Sequence, residues 1–233
     1  MPKSTHSLPT FPACIEIQTM RFLTLALAAV TVACGAAEAP ASESSKPRYQ
    51  LEQHYKSART EYPDPDSSRA DVIEVFWYGC PHCFDFDPKL EAWLEKKPAE
   101  VNFRRVPTAL GREVGKLHAK AYYTAELLDV LNPLHHALFR AMHVERKRLS
   151  SQSEIEEIFV ANGVSAEDFR GTFNSFAVES KVAQGEALIR ALGIPAVPAM
   201  AVDNRYWTSG REAGGFDGML SVVDQLVKDA QSR

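Results

Sequence analysis

The sequence predicts an α/β fold whose sheet is interrupted by a helical insertion. Two observations carry this. The apolar run VIEVFWYG (72–79) leads into an amphipathic stretch and then into VNFRRVPT (101–108), the pattern of a strand–helix–strand unit with parallel strands. Helical periodicity then persists from about Gly111 to Leu192, before strand patterning returns at AMAVDNRYW. The chain has 233 residues, 45% hydrophobic and 24% charged, a globular balance. A formal net charge of −4 offers no electrostatic reason to expect nucleic acid as a partner. The short Arg146-Lys147-Arg148 run reads as a solvated helix end.

The first element is an export leader. Met20 and Arg21 precede an apolar run from Phe22 to Ala33, the length of a secretory core and too short to cross a bilayer of ~30 Å. The residues before Met20 look unlike a leader's start, so translation is expected to begin at Met20, with residues 1–33 set aside as signal. Thr31-Val32-Ala33-Cys34-Gly35 resembles the lipobox of bacterial lipoproteins, in which the cysteine is lipidated. Thr31 departs from the usual Leu, and cleavage after Ala36 or Ala37 is the alternative. Residues 34–48 read as a flexible tether. The mature protein is expected in a periplasm, free or anchored through a lipid on Cys34.

The remaining elements follow in order. YQLEQHYKSA from Tyr49 alternates weakly, as a first strand would, and TEYPDPDSSRAD is a loop. VIEVFWYG is apolar almost throughout, as expected of a central strand buried on both faces. Pro81 suits the first turn of a helix running to about Lys97, with Phe84, Phe86, Leu90, Trp93 and Leu94 on its apolar side and Pro88 placed to kink it. Within the helical stretch, Pro133 opens one helix, Ser153 with Glu156 reads as a capping box, Ser165 opens a shorter helix, and Ser175 and Gly193 bound a longer one. Asp203-Asn204 is a turn between strands, SGREAGG a weaker strand, and DGMLSVVDQLVKDA a final amphipathic helix. The strand elements, 49–110 and 193–233, bracket the helical segment 111–192.

Cys80-Pro81-His82-Cys83 carries the chemistry. Of four cysteines, Cys14 lies before Met20 and Cys34 in the leader region, leaving one close pair in an exported protein. A two-residue loop closes little chain entropy, so the pair is a poor staple. A structural zinc site needs four ligands. His135 and His136 are adjacent and splay apart on a helix, while His118 and His143 stand singly, so no metal is expected. Redox exchange fits better. A thiolate at Cys80 would face the unpaired N–H groups of a helix start, protonated His82 would add positive charge, and Cys83 in the first turn would be more buried. These effects make Cys80 a good leaving group and stabilise the reduced pair.

These residues resemble the thioredoxin superfamily and, within it, the DsbA family of periplasmic thiol:disulfide oxidases, whose dipeptide is Pro-His. The resemblance covers roughly Tyr49 to Ala230 and implies a thioredoxin-like fold with an inserted helical domain. A second motif supports it. The family has a Val-Pro or Thr-Pro step with a cis proline facing the active site, and Val197-Pro198 before AMAVDNRYW matches it better than Ile194-Pro195. The resemblance implies that an extended substrate pairs with Val197 beside Cys80. It also places a buried acid at Glu74 that accepts or relays the proton of Cys83, with Arg105 where the family has a basic partner. A strand edge for Glu74 and a surface position for Arg105 are the plain alternatives. Phe76 is expected in the core, whereas Trp77 and Tyr78 are candidates for a substrate groove.

The expected function is oxidation of cysteine pairs in reduced or unfolded exported proteins, through a redox disulfide Cys80–Cys83 and without a cofactor. The resemblance implies reoxidation by a DsbB-type membrane quinone reductase. The rivals are a reductase or isomerase on the same fold and a non-catalytic thiol-binding lipoprotein or chaperone. Isomerases of this group add a dimerisation domain for which the tether leaves no room, so a monomer is expected.

Overall fold

The computed structural model describes residues 48–60 and 70–232. The leader, Cys34 and nearly all of the tether lie outside the described residues, as does most of the loop before the central strand.

Among the described residues the sheet has five strands in the order β1-β5-β4-β2-β3. β1 is only Lys56–Ser57, and the expected strand over Tyr49–Ala58 is mostly turn. A backbone bond from Glu52 N to Tyr55 O closes that turn, so its weak alternation never meets a sheet. β2 (Ala70–Phe76) is buried at all seven positions and lies inside the sheet between β4 and β3. β3 (Val101–Pro107) runs parallel to it with Arg105 opposite Glu74. Between them α1 (Pro81–Leu94) supplies the crossover that parallel neighbours need. It ends three residues short of Lys97 and is unbroken at Pro88.

Five helices lie between β3 and the next strand: α2 (Glu113–Leu127), α3 (Leu131–His143), α4 (Gln152–Ala161), α5 (Ala166–Phe173) and α6 (Phe176–Leu192). Ser165 and Ser175 cap α5 and α6 as expected, and Gly193 ends α6 at φ 76°. The capping serine of α4 is Ser151, not Ser153. Glu154 N reaches Ser151 Oγ at 3.3 Å while Glu154 Oε2 accepts from Ser150 N at 2.8 Å. The cap is thus shared between two serines, Ser151 giving its hydroxyl oxygen and Ser150 its backbone N–H.

β4 (Ala199–Val202) and β5 (Tyr206–Ser209) form an antiparallel hairpin around Asp203 and Asn204, both at φ 54°. That is the positive-φ pair a tight hairpin turn requires. The segment read as a weaker strand is instead helical, α7 (Gly210–Ala213). Ser209 Oγ accepts from Arg211 N, and its hydroxyl meets Glu212, so Ser-x-x-Glu starts a helix turn at the expected strand. α8 (Phe216–Gln231) closes the chain.

Alternation along β2 divides the core. Ile73 and Val75 pack with Leu188, Ile189 and Leu192 of α6. Val72 packs with Phe86 and Leu90 of α1 and with Met219, Val222 and Leu226 of α8. Glu74 and Phe76 share the face of Val72 because side chains repeat every second residue. The acid at 74 therefore points toward α1, the helix that carries both cysteines. A third cluster joins Cys80, Cys83, Phe76 and Tyr78 to the helices between β3 and β4. Among the described residues, no helix is long and apolar enough to cross a membrane.

Candidate active site

Cys80 is the N-cap of α1, with extended backbone (φ −92°, ψ 116°), and Pro81 takes the first helical position. Pro81 has no N–H and its fixed φ suits that place. The carbonyl of Cys80 accepts from Cys83 N (3.1 Å) and Phe84 N (3.2 Å), so the helix starts on the cysteine itself. Both cysteines are free thiols and both are buried, Cys83 fully and Cys80 at 9% exposure. Exposed His82 stands between them.

The two thiols have opposite proton affinities. A hydrogen bond from the Cys83 thiol does most to lower Cys80, followed by the backbone N–H groups of Cys83 and His82 and the charge of His82. Partial burial opposes them, and the result is a pKa of about 6 against an ordinary 9.0. Burial pushes Cys83 far up, and donating its proton toward an anionic Cys80 raises it further. Sequence reasoning credited the helix start and His82; the structure puts the partner cysteine first.

The Val197-Pro198 peptide is cis, and the Cys80 thiol reaches Val197 O at 3.6 Å. Ile194-Pro195 is not cis. Beside this step a cleft of about 410 Å³ is lined by His82, Val197, Pro198, Arg211 and Phe216 among others.

Beneath the pair lies a buried charge cluster. Arg105 Nε donates to Glu74 Oε2 (2.8 Å), and its Nη2 donates to Asp87 Oδ1 (3.3 Å) and Glu91 Oε1 (2.6 Å). The side chain of Arg105 is 11% exposed and that of Glu74 is 1% exposed, so neither the strand-edge nor the surface alternative holds. Burial outweighs the pull of Arg105 and raises Glu74 to about 7. Burial also penalises ionised Asp87, but a hydrogen bond from His135 and the charges of His135 and Arg105 outweigh it and hold Asp87 low. His135 Nε2 donates to Asp87 Oδ1 (3.2 Å), which leaves Nδ1 to accept from the Tyr78 hydroxyl (2.9 Å).

The model of the DSBA-like thioredoxin domain matches residues 71–220, which span both cysteines, the cis proline and the buried acid. The chain belongs to the DsbA-like thioredoxin family. The thiol:disulfide interchange protein DsbA of Pseudomonas aeruginosa is 33% identical over 180 residues, 77% of this chain and 85% of that protein. DsbA of Burkholderia cepacia is 32% identical over 217 residues, covering 91% and 98%. The crystal structure of Pseudomonas aeruginosa DsbA aligns with a TM-score of 0.75 at 33% identity, over 79% of this chain and 95% of that one. DsbA of Proteus mirabilis, solved with a non-covalently bound peptide PWATCDS, aligns with a TM-score of 0.66 at 26% identity, over 77% and 98%.

Within this DsbA-like site, Asp87, Glu91 and the site role of His135 are not read from the sequence. Asp87 and Glu91 follow Cys83 at helical intervals of four, and that spacing is a signal for one helix face. His135 carries no comparable signal, because its partner Asp87 comes from another helix. Trp77 and Tyr78 were read as groove candidates, yet Tyr78 is core and 1% exposed. Trp77 is half-buried. Its Nε1 donates to His118 Nδ1 (2.9 Å), and His118 Nε2 donates to Leu149 O (3.0 Å). Burial holds His118 at about 4, consistent with a neutral ring making both bonds. His143 Nε2 donates to Tyr78 O at 2.7 Å and its ring stacks on Phe84. These histidines hold the backbone just before Cys80. Among the described residues no cluster of His, Cys, Asp and Glu could hold a metal ion.

Proposed function

We propose that this chain oxidises cysteine pairs in exported proteins through a Cys80–Cys83 disulfide. The observation that carries the reading is the pairing of a low-pKa Cys80 with a buried, high-pKa Cys83 at a helix start beside the cis Val197-Pro198 step. Membership of the DsbA-like family and relatives named thiol:disulfide interchange proteins support it.

A substrate thiolate attacks the Cys80 sulfur of the disulfide. One S–S bond forms between substrate and Cys80 as the Cys80–Cys83 bond breaks, and Cys83 leaves as a thiolate that takes up a proton. A second substrate thiolate then attacks the substrate sulfur and expels Cys80. Two electrons pass from substrate to pair, and the substrate gains its disulfide. At pH 7 a Cys80 with a pKa of about 6 departs largely without a proton, which favours the second step. Cys83 has the opposite requirement, and Glu74, half-protonated near pH 7, is suited to supply or relay its proton. Val197 O is poised to meet an extended substrate, and the cleft beside His82 and Pro198 accommodates its apolar side chains. That the Proteus mirabilis relative binds a peptide non-covalently supports a peptide-binding role for this chain.

Reoxidation requires an acceptor for the two electrons, and a DsbB-type membrane quinone reductase fits. The working compartment is the periplasm. Cys34 is the proposed point of lipid attachment; labelling with radioactive palmitate should be lost in Cys34→Ala, and equal labelling of both would exclude it.

The deciding experiment equilibrates the Cys80/Cys83 pair with glutathione buffers. A potential near the value established for DsbA itself, about −120 mV, is expected. A value near that of thioredoxin, about −270 mV, would make the pair a reductant and reverse the assigned direction. Cys80→Ser should abolish oxidation of reduced ribonuclease, whereas a thiol-binding module would lose little.

A further inference from the structure

We infer that the exchange surface selects cysteines set among acidic residues, through Arg112 and Arg211. The inference rests on the disulfide-exchange reading above and names its substrate class.

Arg211 lines the cleft that also contains His82, Val197 and Pro198. Its backbone is held in a capped turn, where Arg211 N donates to Ser209 Oγ at 3.2 Å. The Arg112 guanidinium sits over the Trp77 ring at 5.4 Å. The Trp77 ring in turn fills the space above Gly79, where an added Cβ would lie 2.3 Å from it. Arg112 is therefore one indole away from the residue preceding Cys80. Both arginines are exposed, and neither is in an ion pair among the described residues. No carboxylate is among the residues lining the cleft, and two that neighbour its lining residues in sequence have contacts of their own. Asp217 pairs with Lys89 at 2.7 Å, and Glu212 accepts from Ser209.

A short basic run reaches the same Trp77–His118 contact, with its Lys147 Nζ paired to Glu145 at 3.0 Å and Arg146 and Arg148 left as its added charge. The Arg146-Lys147-Arg148 run precedes Leu149, whose carbonyl accepts from the same His118 that holds Trp77. Leu149 is fully buried and Lys147 N donates to Ala141 O at 2.8 Å, so the run is fixed at that surface rather than trailing from a helix end. The chain as a whole is acidic, at −4. Arg211 in the cleft and Arg112 over Trp77 are therefore local positive charges near Cys80, within reach of an extended segment crossing Val197.

The test uses three otherwise identical dithiol peptides with glutamate, glutamine or lysine flanking the cysteines. Their oxidation by the oxidised full chain is followed as kcat/KM. Each exposed charge contact is worth a factor of about 1.4 to 5. The glutamate peptide should therefore exceed the lysine peptide about five- to ten-fold at low salt, and the ratio should shrink toward one as salt screens it. In R112E/R211E the order should invert. Equal rates for the three peptides, or an unchanged ratio in R112E/R211E, would overturn the inference and leave the exchange reading standing. Failure to oxidise even the glutamine peptide would overturn both.

Discussion

Replacing Glu74 with glutamine should stabilise the protein, and more so as pH rises. Glutamine is the shape of the protonated acid and keeps an oxygen for Arg105 Nε to reach. In the native protein Glu74 has its proton affinity raised from an ordinary 4.5 to about 7 by burial that Arg105 only partly offsets. The sign follows from linkage. Below pH 4.5 the acid is protonated in both folded and unfolded chains, and nothing is lost. Between 4.5 and 7 the unfolded chain gives up its proton freely while the folded one holds it, so stability falls as pH rises. At roughly 1.4 kcal/mol per decade of proton affinity, the cost reaches about 0.2 kcal/mol at pH 4, about 2 at pH 6 and about 3 at pH 8. Glu74→Gln removes the titration. With both proteins held reduced, guanidinium unfolding at those three pH values should show a gap between variant and native protein that widens by these amounts. In melting temperature, about 3 kcal/mol corresponds to about 6–12 °C for a domain of this size. Taking the difference cancels Asp87 and the cysteines, which titrate in both proteins. A gap that is flat with pH, or that narrows toward pH 8, would show that Arg105 keeps Glu74 ionised and that the pair is a net stabiliser.

Alkylation of Cys80 by iodoacetamide should titrate with a midpoint of about 6. In Cys83→Ala the midpoint should rise, because the strongest lowering contact is gone; an unmoved midpoint would give the lead to the helix start instead. Arg105→Met should cost about 3–5 kcal/mol at pH 7 by leaving buried carboxylates without their shared cation, as measured by urea unfolding. Gly79→Ala should cost about 1–3 kcal/mol and change Trp77 fluorescence, since the added carbon would displace an indole anchored by His118. Unchanged emission from that variant would show that the ring is not held there.

The sequence by itself was enough for the parallel β2-α1-β3 unit, the helix start on Cys80 and the choice of redox over zinc, because each rests on contacts between residues close in the chain. Pro81 at a first turn, Cys83 one turn on, and Gly193 ending α6 are local choices of backbone angle. Capping was legible only to within two residues, since Ser150, Ser151 and Ser153 carry the same hydroxyl and the position of Glu154 alone selects among them. The segment read as a weaker strand at SGREAGG is a short helix, because a four-residue Ser-x-x-Glu cap starts a helical turn there.

Tertiary structure decided the electrostatics. Pairing of Glu74 with Arg105 depends on strand register, and the contacts of Arg105 with Asp87 and Glu91 depend on how α1 lies across the sheet. The leading role of Cys83 in lowering Cys80 depends on the rotation of two thiols at a helix start. Whether a charge is buried, and what faces it, is a property of surfaces brought together from distant segments. His135 meets Tyr78 across 57 positions with no pattern along the chain to encode it, whereas Cys80 meets Val197 across 117 positions where only the family resemblance of the Val197-Pro198 step pointed to the approach.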